Sequence, residues 1–261
     1  MSFVWVGRLA APGSPHMKAI DLNCDLGEGA GFDAELMPLI TSANIACGAH
    51  AGNLETMIET VEHARNLRVK IGAHPGYFDL EHFGRMERPV TAAEAGRLVL
   101  MQVEQLYEVA GDALHHVKLH GALYNQVSRD PHLAEGVASD LARLWPALVV
   151  YAPAGSQLAQ AAQRHGLTVA QEVFADRTYQ PDGTLTPRSQ PGAVIATTDA
   201  AVAQVLQLVQ HGTVRTGDGR EIKLPADTVC IHGDGTHALA LARRLREKLT
   251  AAGVAVRPFG T

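Results

Sequence analysis

Residues 18–25 read KAIDLNCD and alternate apolar with polar side chains. Successive side chains of an extended strand point to opposite faces, so one face of this segment is apolar and the other is polar. The polar face carries Asp21, Asn23 and Asp25. Residues 114–120, LHHVKLH, repeat the alternation, and their polar face carries His116, Lys118 and His120. Strands buried on both faces normally read as continuous Val, Ile and Leu, so these polar faces indicate a shared polar interior.

Seven short runs rich in apolar residues, including the two segments above, are predicted as strands and alternate with predicted helices. The predicted strands cover residues 18–24, 43–47, 69–73, 114–119, 147–151, 167–173 and 228–232. Helices are predicted from capping and periodicity near residues 54–67, 92–110, 131–144, 155–165, 199–211 and 236–252. Strands alternating with helices predict an α/β fold with a parallel sheet, either an open doubly wound sheet or a barrel. We prefer a seven-stranded, TIM-barrel-like (β/α) barrel.

The remaining segments define the predicted domain organisation. Residues 212–227 contain two short alternating runs around a Gly-Asp-Gly turn, which predicts a small hairpin insertion before the last strand. Residues 1–16 are rich in Pro, Gly and Ser and are predicted to be a loose arm ahead of one barrel domain, residues 17–261. Residues 174–192 are long and polar, and are interpreted either as a loop over a pocket mouth or as a solvated loop.

Composition narrows the class of protein. The 22 Lys and Arg residues against 27 Asp and Glu give a net charge of −5 without a basic cluster, which argues against nucleic-acid binding. The sequence contains no run of about 18 apolar residues, so no membrane span is predicted. Three cysteines without a CxxC pair favour a reducing cytoplasm. The 13 histidines are the unusual feature, because histidine suits proton transfer and metal ligation.

Ionisable residues fall at the ends of most predicted strands. Besides the two polar faces described above, the residues in phase are Asn44, His50, His74, Glu172, Asp176, His232 and Asp234. The carboxyl ends of barrel strands are where barrel active sites are built. Burying so many ionisable groups costs several kcal/mol each unless they pair or bind something. A catalytic or ligand pocket is therefore favoured over a purely structural polar core.

Six ordered blocks of the chain resemble the LamB/YcsF family. The blocks are IDLNCDLGEGAG (20–31), SANIACGAHAGN (42–53), IGAHPGYFDLEHFGR (71–85), HVKLHGALYNQ (116–126), FADRTYQPDGTLTPRSQPGA (174–193) and CIHGDGTHAL (230–239). The resemblance extends from about Met17 to Pro258. It implies a seven-stranded barrel similar to that of glycoside hydrolases and polysaccharide deacetylases, in agreement with the strand count.

The resemblance also implies an activity. Members of this family form the A subunit of a bacterial 5-oxoprolinase, which cleaves the lactam of 5-oxo-L-proline to L-glutamate at the expense of ATP, together with subunits B and C. ATP is therefore the expected cofactor. The sequence contains no GxxxxGK[ST] motif, so which subunit binds ATP stays open. Two alternatives stay open: a stand-alone metal-dependent deacetylase or amidohydrolase, and a subunit that binds oxoproline without catalysis.

The inward residues supply candidate roles. Asp25 or Asp21 is expected to act as general base on water, and His74 or His120 to polarise the carbonyl or protonate the leaving nitrogen. Lys118 or Arg177 is expected to hold the substrate carboxylate. The other predicted substrate-binding residues are Asn23, Asn44, His50, Glu172, His232 and Asp234. No metal is predicted, but a divalent ion, if bound, is expected at Asp25, His74 and His120, by analogy with the Asp-His-His site of the deacetylases.

Overall fold

A computed structural model of the chain describes residues 18–232 and 237–261. Within those residues the strands are β1 (Ala19–Leu26), β2 (Ser42–Ala46), β3 (Lys70–His74), β4 (Leu114–Lys118), β5 (Val149–Pro153), β6 (Val169–Phe174), β7 (Thr213–Arg215), β8 (Glu221–Lys223), β9 (Thr228–Ile231) and β10 (Ala255–Val256). Strands β1 to β6 and β9 are parallel, and each pairs with the next. Strand β9 also pairs with β1, with Thr228 beside Asp21, so the sheet closes. The prediction of a seven-stranded (β/α) barrel is confirmed.

Helices cover the outside of the barrel. They are α1 (Asp33–Leu36), α2 (Leu54–Leu67), α3 (Ala92–Ala110), α4 (Gly121–Arg129), α5 (Pro131–Leu144), α6 (Gln157–Arg164), α7 (Thr198–His211) and α8 (Ala238–Ala251). The predicted caps are present: the Asn53 side chain accepts from the backbone N–H of Thr56, and Thr91 and Glu94 form a capping box. No helix in the described part of the chain is long and apolar enough to cross a membrane.

The apolar faces of the strands supply the core beneath these helices. Ile20, Leu22 and Cys24 of β1 are almost completely buried in one continuous apolar cluster. The opposite face of the same strand is also buried but carries Asp21 and Asn23. The barrel interior is therefore polar and the layer outside the barrel is apolar, as the alternation in the sequence predicts.

Two segments outside the barrel match their predictions. Strands β7 and β8 form an antiparallel hairpin with Thr213 beside Lys223, in the segment predicted as an insertion. The polar segment after β6 is a loop held by its own antiparallel bridges, Arg177 with Val194 and Tyr179 with Leu185. The predicted arm of residues 1–16 lies outside the described residues.

Candidate active site

A buried lysine on one strand contacts side chains of three other strands at the carboxyl end of the barrel. Lys118 is the last residue of β4, and its Nζ lies 2.8 Å from Asp25 Oδ1 at the end of β1. The same ammonium lies 3.1 Å from Glu172 Oε1 on β6. It also donates to Asn23 Oδ1 at 3.1 Å, and Cys230 Sγ on β9 is 3.0 Å away. Lys118 is only 2% exposed, so these protein groups take the place of its hydration shell.

Amide and imidazole side chains extend this network around the interior. Asn44 on β2 donates to Asn23 Oδ1 and Asp25 Oδ1, both at 2.8 Å, and its own Oδ1 lies 2.8 Å from His116 Nε2. Asn23 donates in turn to Glu172 Oε1 at 2.9 Å. These contacts link β1, β2, β4 and β6 across the barrel and confirm that the polar faces of the strands point inward. The sequence pattern groups His116 with this face but assigns it no role.

A second cluster lies beside Asp25 and consists of three histidines around one carboxylate. Glu28 Oε1 lies 3.0 Å from His50 Nε2, 3.3 Å from His120 Nδ1 and 3.6 Å from His74 Nε2. The rings of His50 and His120 stack at 3.7 Å, whereas the ring of His74 is perpendicular to that of His120. Asp25 Oδ2 is 3.4 Å from His74 Nε2 and joins this cluster to the lysine network.

The pKa values of Asp25 and Lys118 are shifted in opposite directions by their contacts in this network. Burial alone would raise the pKa of Asp25, but the charges of His74 and Lys118 outweigh it and hold that pKa well below its usual value. The pKa of Lys118 is raised well above its usual value because Asp25, Cys230 and Glu172 outweigh its desolvation. The ammonium and the carboxylate of this pair are therefore both ionised.

Burial and contact also shift the pKa values in the histidine cluster. Hydrogen bonds from His120 and His50 outweigh burial and lower the pKa of Glu28 to about 2. Burial lowers the pKa of His50 to about 4. The pKa of His74 is raised, because Asp25 and Glu28 outweigh the effect of burial. Of these two histidines, His74 is therefore the one whose surroundings favour the protonated ring.

Asp21 lies apart from these groups. It is buried at the other end of β1 and accepts hydrogen bonds from the hydroxyls of Thr41, Ser42 and Thr228 at 2.6, 2.7 and 2.5 Å. It lies four positions before Asp25 along the strand, a distance of about 13 Å. Burial raises the pKa of Asp21 despite these donors. The structure brings Asp25, His74 and His120 together and leaves Asp21 in a separate layer.

Two of the predicted substrate-binding residues, Arg177 and His232, contact protein groups. The Arg177 guanidinium donates to the backbone carbonyls of Thr186 at 2.6 Å and Ala193 at 3.3 Å, so it holds the loop after β6 together. His232 Nδ1 lies 3.0 Å from both carboxylate oxygens of Asp176. The predicted substrate-binding residue Asp234 lies outside the described residues.

Sequence reasoning missed Glu28 and Tyr124 as members of the site, and it placed Asp176 in phase with Glu172 without assigning it a role. Glu28 follows β1 in a glycine-rich loop, where the two-residue period of a strand no longer applies, yet its side chain is only 6% exposed. Its position in the block IDLNCDLGEGAG was the available signal. Tyr124 is buried on α4, a helix that was not predicted, and its hydroxyl donates to Glu172 Oε2.

Comparison with known proteins places this site in a family. The chain is 49% identical over 248 residues to the A subunit of 5-oxoprolinase from Brevibacillus brevis, covering 92% of this chain and 98% of that one. It is 40% identical to the lactam utilization protein of Thermus thermophilus, whose crystal structure superposes with a TM-score of 0.86 over 92% of this chain and all of the other.

More distant structures share only the fold. A mutant of a CE4-family pseudoenzyme with restored activity is 11% identical and superposes with a TM-score of 0.50, covering 94% of this chain and 67% of that one. This likeness agrees with the expected deacetylase type of barrel. The LamB/YcsF family profile matches residues 20–261. With this match and the 49% identity over almost its whole length, the chain belongs to the LamB/YcsF family.

Proposed function

We propose that the chain is the A subunit of an ATP-dependent 5-oxoprolinase, which converts 5-oxo-L-proline, ATP and water to L-glutamate, ADP and phosphate with subunits B and C. The observation that carries the proposal is the 49% identity to a protein named as the A subunit of 5-oxoprolinase, over 92% of the chain. The buried ionised site at the carboxyl end of the barrel supports it, because that end is where barrel enzymes carry their chemistry.

The chemistry explains why ATP is needed. The five-membered lactam is an unstrained amide whose ring closes easily, so its hydrolysis requires an activated carbonyl and a driving force. Transfer of the γ-phosphoryl group to the amide oxygen supplies both. Attack of one water on the phosphorylated carbon gives a tetrahedral intermediate whose C–N bond breaks, with a proton delivered to the leaving nitrogen. A second water then hydrolyses the resulting glutamyl phosphate to glutamate and phosphate, so two waters are consumed for each lactam and ATP. The sequence carries no P-loop, so the nucleotide is bound by a different kind of site or by a partner subunit.

Asp25 is assigned as the general base. Its carboxylate is kept ionised by Lys118, one of its oxygens faces the histidine cluster, and its side chain is 10% exposed. Lys118 itself is enclosed by protein partners, so we assign it to positioning Asp25 rather than to binding the substrate carboxylate. Asp21 is not assigned a catalytic role in this proposal, because it lies in a separate layer with three hydroxyl partners.

The remaining roles follow from position. His74 and His120 lie beside Asp25 and are assigned to polarising the carbonyl. Asp176 holds His232 through Nδ1, so Nε2 is the nitrogen that exchanges a proton with the leaving amine. His232 and Asp25 have side-chain donor or acceptor atoms within 4.8 Å of one another, so the assigned acid and base lie close enough to act on one substrate.

The test compares 5-oxoproline-dependent release of glutamate and ADP by the chain alone and by the chain with its candidate partner subunits. We expect turnover only in the mixture. Asp25→Asn should reduce it by at least about 100-fold, and Lys118 keeps Glu172 as counter-charge, so the variant should fold with an unchanged circular dichroism spectrum. Asp199→Asn, at a 90% exposed side chain, is the matched control and should retain full activity.

Three outcomes would contradict the proposal. Near-normal turnover by folded Asp25→Asn would remove the assigned base. Opening of lactams or removal of acetyl groups by the chain alone without ATP would favour the stand-alone hydrolase instead. Binding of oxoproline by the chain, without turnover in any mixture of subunits, would favour a non-catalytic binding subunit.

A further inference from the structure

We propose that Glu28, His74 and His120 form a binding site for one divalent transition-metal ion of the zinc class. Glu28 Oε1 lies 3.6 Å from His74 Nε2 and 3.3 Å from His120 Nδ1, and the two nitrogens are 2.9 Å apart. In tetrahedral coordination with metal–ligand bonds of about 2.0–2.1 Å, the ligand atoms lie about 3.3 Å apart. The three separations, from 2.9 to 3.6 Å, bracket this value.

The hydrogen bonds of the two imidazoles fix where their protons lie. His74 Nδ1 is 2.8 Å from the carbonyl oxygen of Lys118, and His120 Nε2 is 3.0 Å from that of Phe83. A carbonyl oxygen only accepts, so each of these nitrogens carries a proton. The two nitrogens that face each other at 2.9 Å, His74 Nε2 and His120 Nδ1, then require either a second proton on one ring or a cation between them. A metal ion bound to both nitrogens meets this requirement.

The backbone around the cluster fits the same arrangement. Metal-binding histidines commonly donate their second ring N–H to a backbone carbonyl, which orients the ring. Phe83, whose carbonyl receives the His120 proton, has a φ of +55°, a left-handed conformation that is uncommon for a residue other than glycine. The chain thus adopts an unfavourable backbone conformation at the residue that orients one proposed ligand.

Charge balance supports a divalent cation. The interior cluster holds the carboxyl groups of Asp25, Glu28 and Glu172 and a single ammonium, that of Lys118. Three carboxyl groups therefore surround one ammonium in a buried site, and uncompensated buried charge costs several kcal/mol. A divalent ion at Glu28 adds positive charge to this cluster, and protonation of histidines would do the same, so the test must separate a metal from protons.

His50 is assigned to the support of this site and not to the ligand set. Its Nε2 lies 3.0 Å from Glu28 Oε1, but its ring is parallel to that of His120 at 3.7 Å. One ion cannot lie in the planes of two stacked rings, so His50 serves as a hydrogen-bond donor to Glu28. Relative to the set expected from the sequence, the two histidines are retained and Glu28 replaces Asp25, whose Oδ1 is held by Lys118.

A second group of metal-binding side chains does not qualify. Asp25, Cys230 and His232 bring their ligand atoms within 4.8 Å of one another. The Lys118 ammonium already lies 2.8 Å from Asp25 and 3.0 Å from Cys230 Sγ, so a cation of the protein occupies that space.

The inference is independent of turnover and is tested by metal binding to the full chain. Metal content is measured on the purified protein, and Zn²⁺ and Co²⁺ are then titrated separately into chelator-treated protein. We expect one equivalent per chain, a rise in melting temperature with added Zn²⁺, and the visible absorption of tetrahedral Co²⁺. Glu28→Gln and His74→Ala should each weaken binding by more than about 100-fold, beyond the 10–100-fold typical of residues that only support a ligand.

The control is His132→Ala, which removes an exposed histidine on α5 and should bind both ions as the wild type does. Circular dichroism establishes that each variant is folded. The proposal is overturned if wild-type protein binds neither ion at micromolar concentration and its melting temperature is unaffected by EDTA, in which case protons balance the cluster. Equal binding by wild type, Glu28→Gln and His74→Ala also overturns it, because the ion then lies elsewhere. Neither result affects the oxoprolinase assay of the subunit mixture.

Discussion

Replacing Lys118 by methionine tests whether one ammonium holds the barrel interior together. Its Nζ lies 2.8 Å from Asp25 Oδ1 and 3.1 Å from Glu172 Oε1, and the side chain is 3% exposed. Methionine is an unbranched side chain that adapts to irregular space, so the substitution removes the charge without leaving a large cavity. Two buried carboxylates then lose their shared counter-charge.

The expected loss of stability follows from the contacts that remain. Removing one partner of a buried ion pair costs about 3–5 kcal/mol, because the other charge stays buried without compensation. Asn44 still donates to Asp25, and Asn23 still donates to Glu172, so the cost of one pair is expected and not the sum of two. For a chain of this size 1 kcal/mol corresponds to about 2 °C, which gives a fall in melting temperature of about 6–10 °C.

The assay is urea unfolding followed by circular dichroism at neutral pH. Lys223→Met, in the exposed strand β8, is the matched control and should change stability by less than about 0.5 kcal/mol. Glu172→Gln combined with Lys118→Met should be less destabilising than the sum of the single changes by about 2 kcal/mol, because the two groups are in contact. A loss below about 1 kcal/mol for Lys118→Met, or strict additivity in the double variant, would refute the reasoning.

Two further changes probe the rest of the interior. Burial raises the pKa of Asp21 above its usual 3.8, so any stability it contributes is present below that pH and is lost as the pH rises through the folded pKa. Asp21→Asn should therefore gain stability relative to the wild type between about pH 4 and 7, and a pH-independent difference in urea unfolding would contradict this. A Cβ at Gly72 would overlap the His116 ring, so Gly72→Ala should cost about 1–3 kcal/mol in the same assay, whereas Gly217→Ala, where the nearest atom is 3.9 Å away, should be almost neutral.

The barrel was predictable because its strands carry a strong period of two and its helices carry caps. The prediction failed where an element is short or depends on a distant partner. Helix α4 begins at Gly121, three residues after β4 ends, and lacks a side-chain cap to mark its start. Strand β10 has only two residues and exists through pairing with the beginning of β1, 236 residues away at Ala19↔Ala255. Local sequence does not encode such a partner.

The site divides in the same way. The positions of strand residues, such as Asp25, His74 and Lys118, were predictable. The two-residue period fixes the face of the sheet on which each side chain lies, and its place near the end of a strand fixes its position along the barrel axis. Residues on loops were less predictable: Glu28 was missed, and the sequence did not indicate that Arg177 donates to two loop carbonyls. In a loop the direction of a side chain depends on tertiary packing. The composition of the loop after β6 therefore indicated a polar segment but could not indicate the hydrogen-bond partners of Arg177.

The polar interior also determines how this barrel trades stability against function. In most barrels of this type the interior is filled by branched apolar side chains, and the active site is built on loops above them. Here the interior hydrogen bonds of Asn23 and Asn44 connect directly to Asp25, which we assign as the base. The contacts with Lys118 and Asn44 that compensate the buried charge of Asp25 therefore also fix the orientation of its carboxylate. A substitution that removes the Lys118 ammonium should then reduce stability and activity together, since no separate scaffold would keep the Asp25 carboxylate in place.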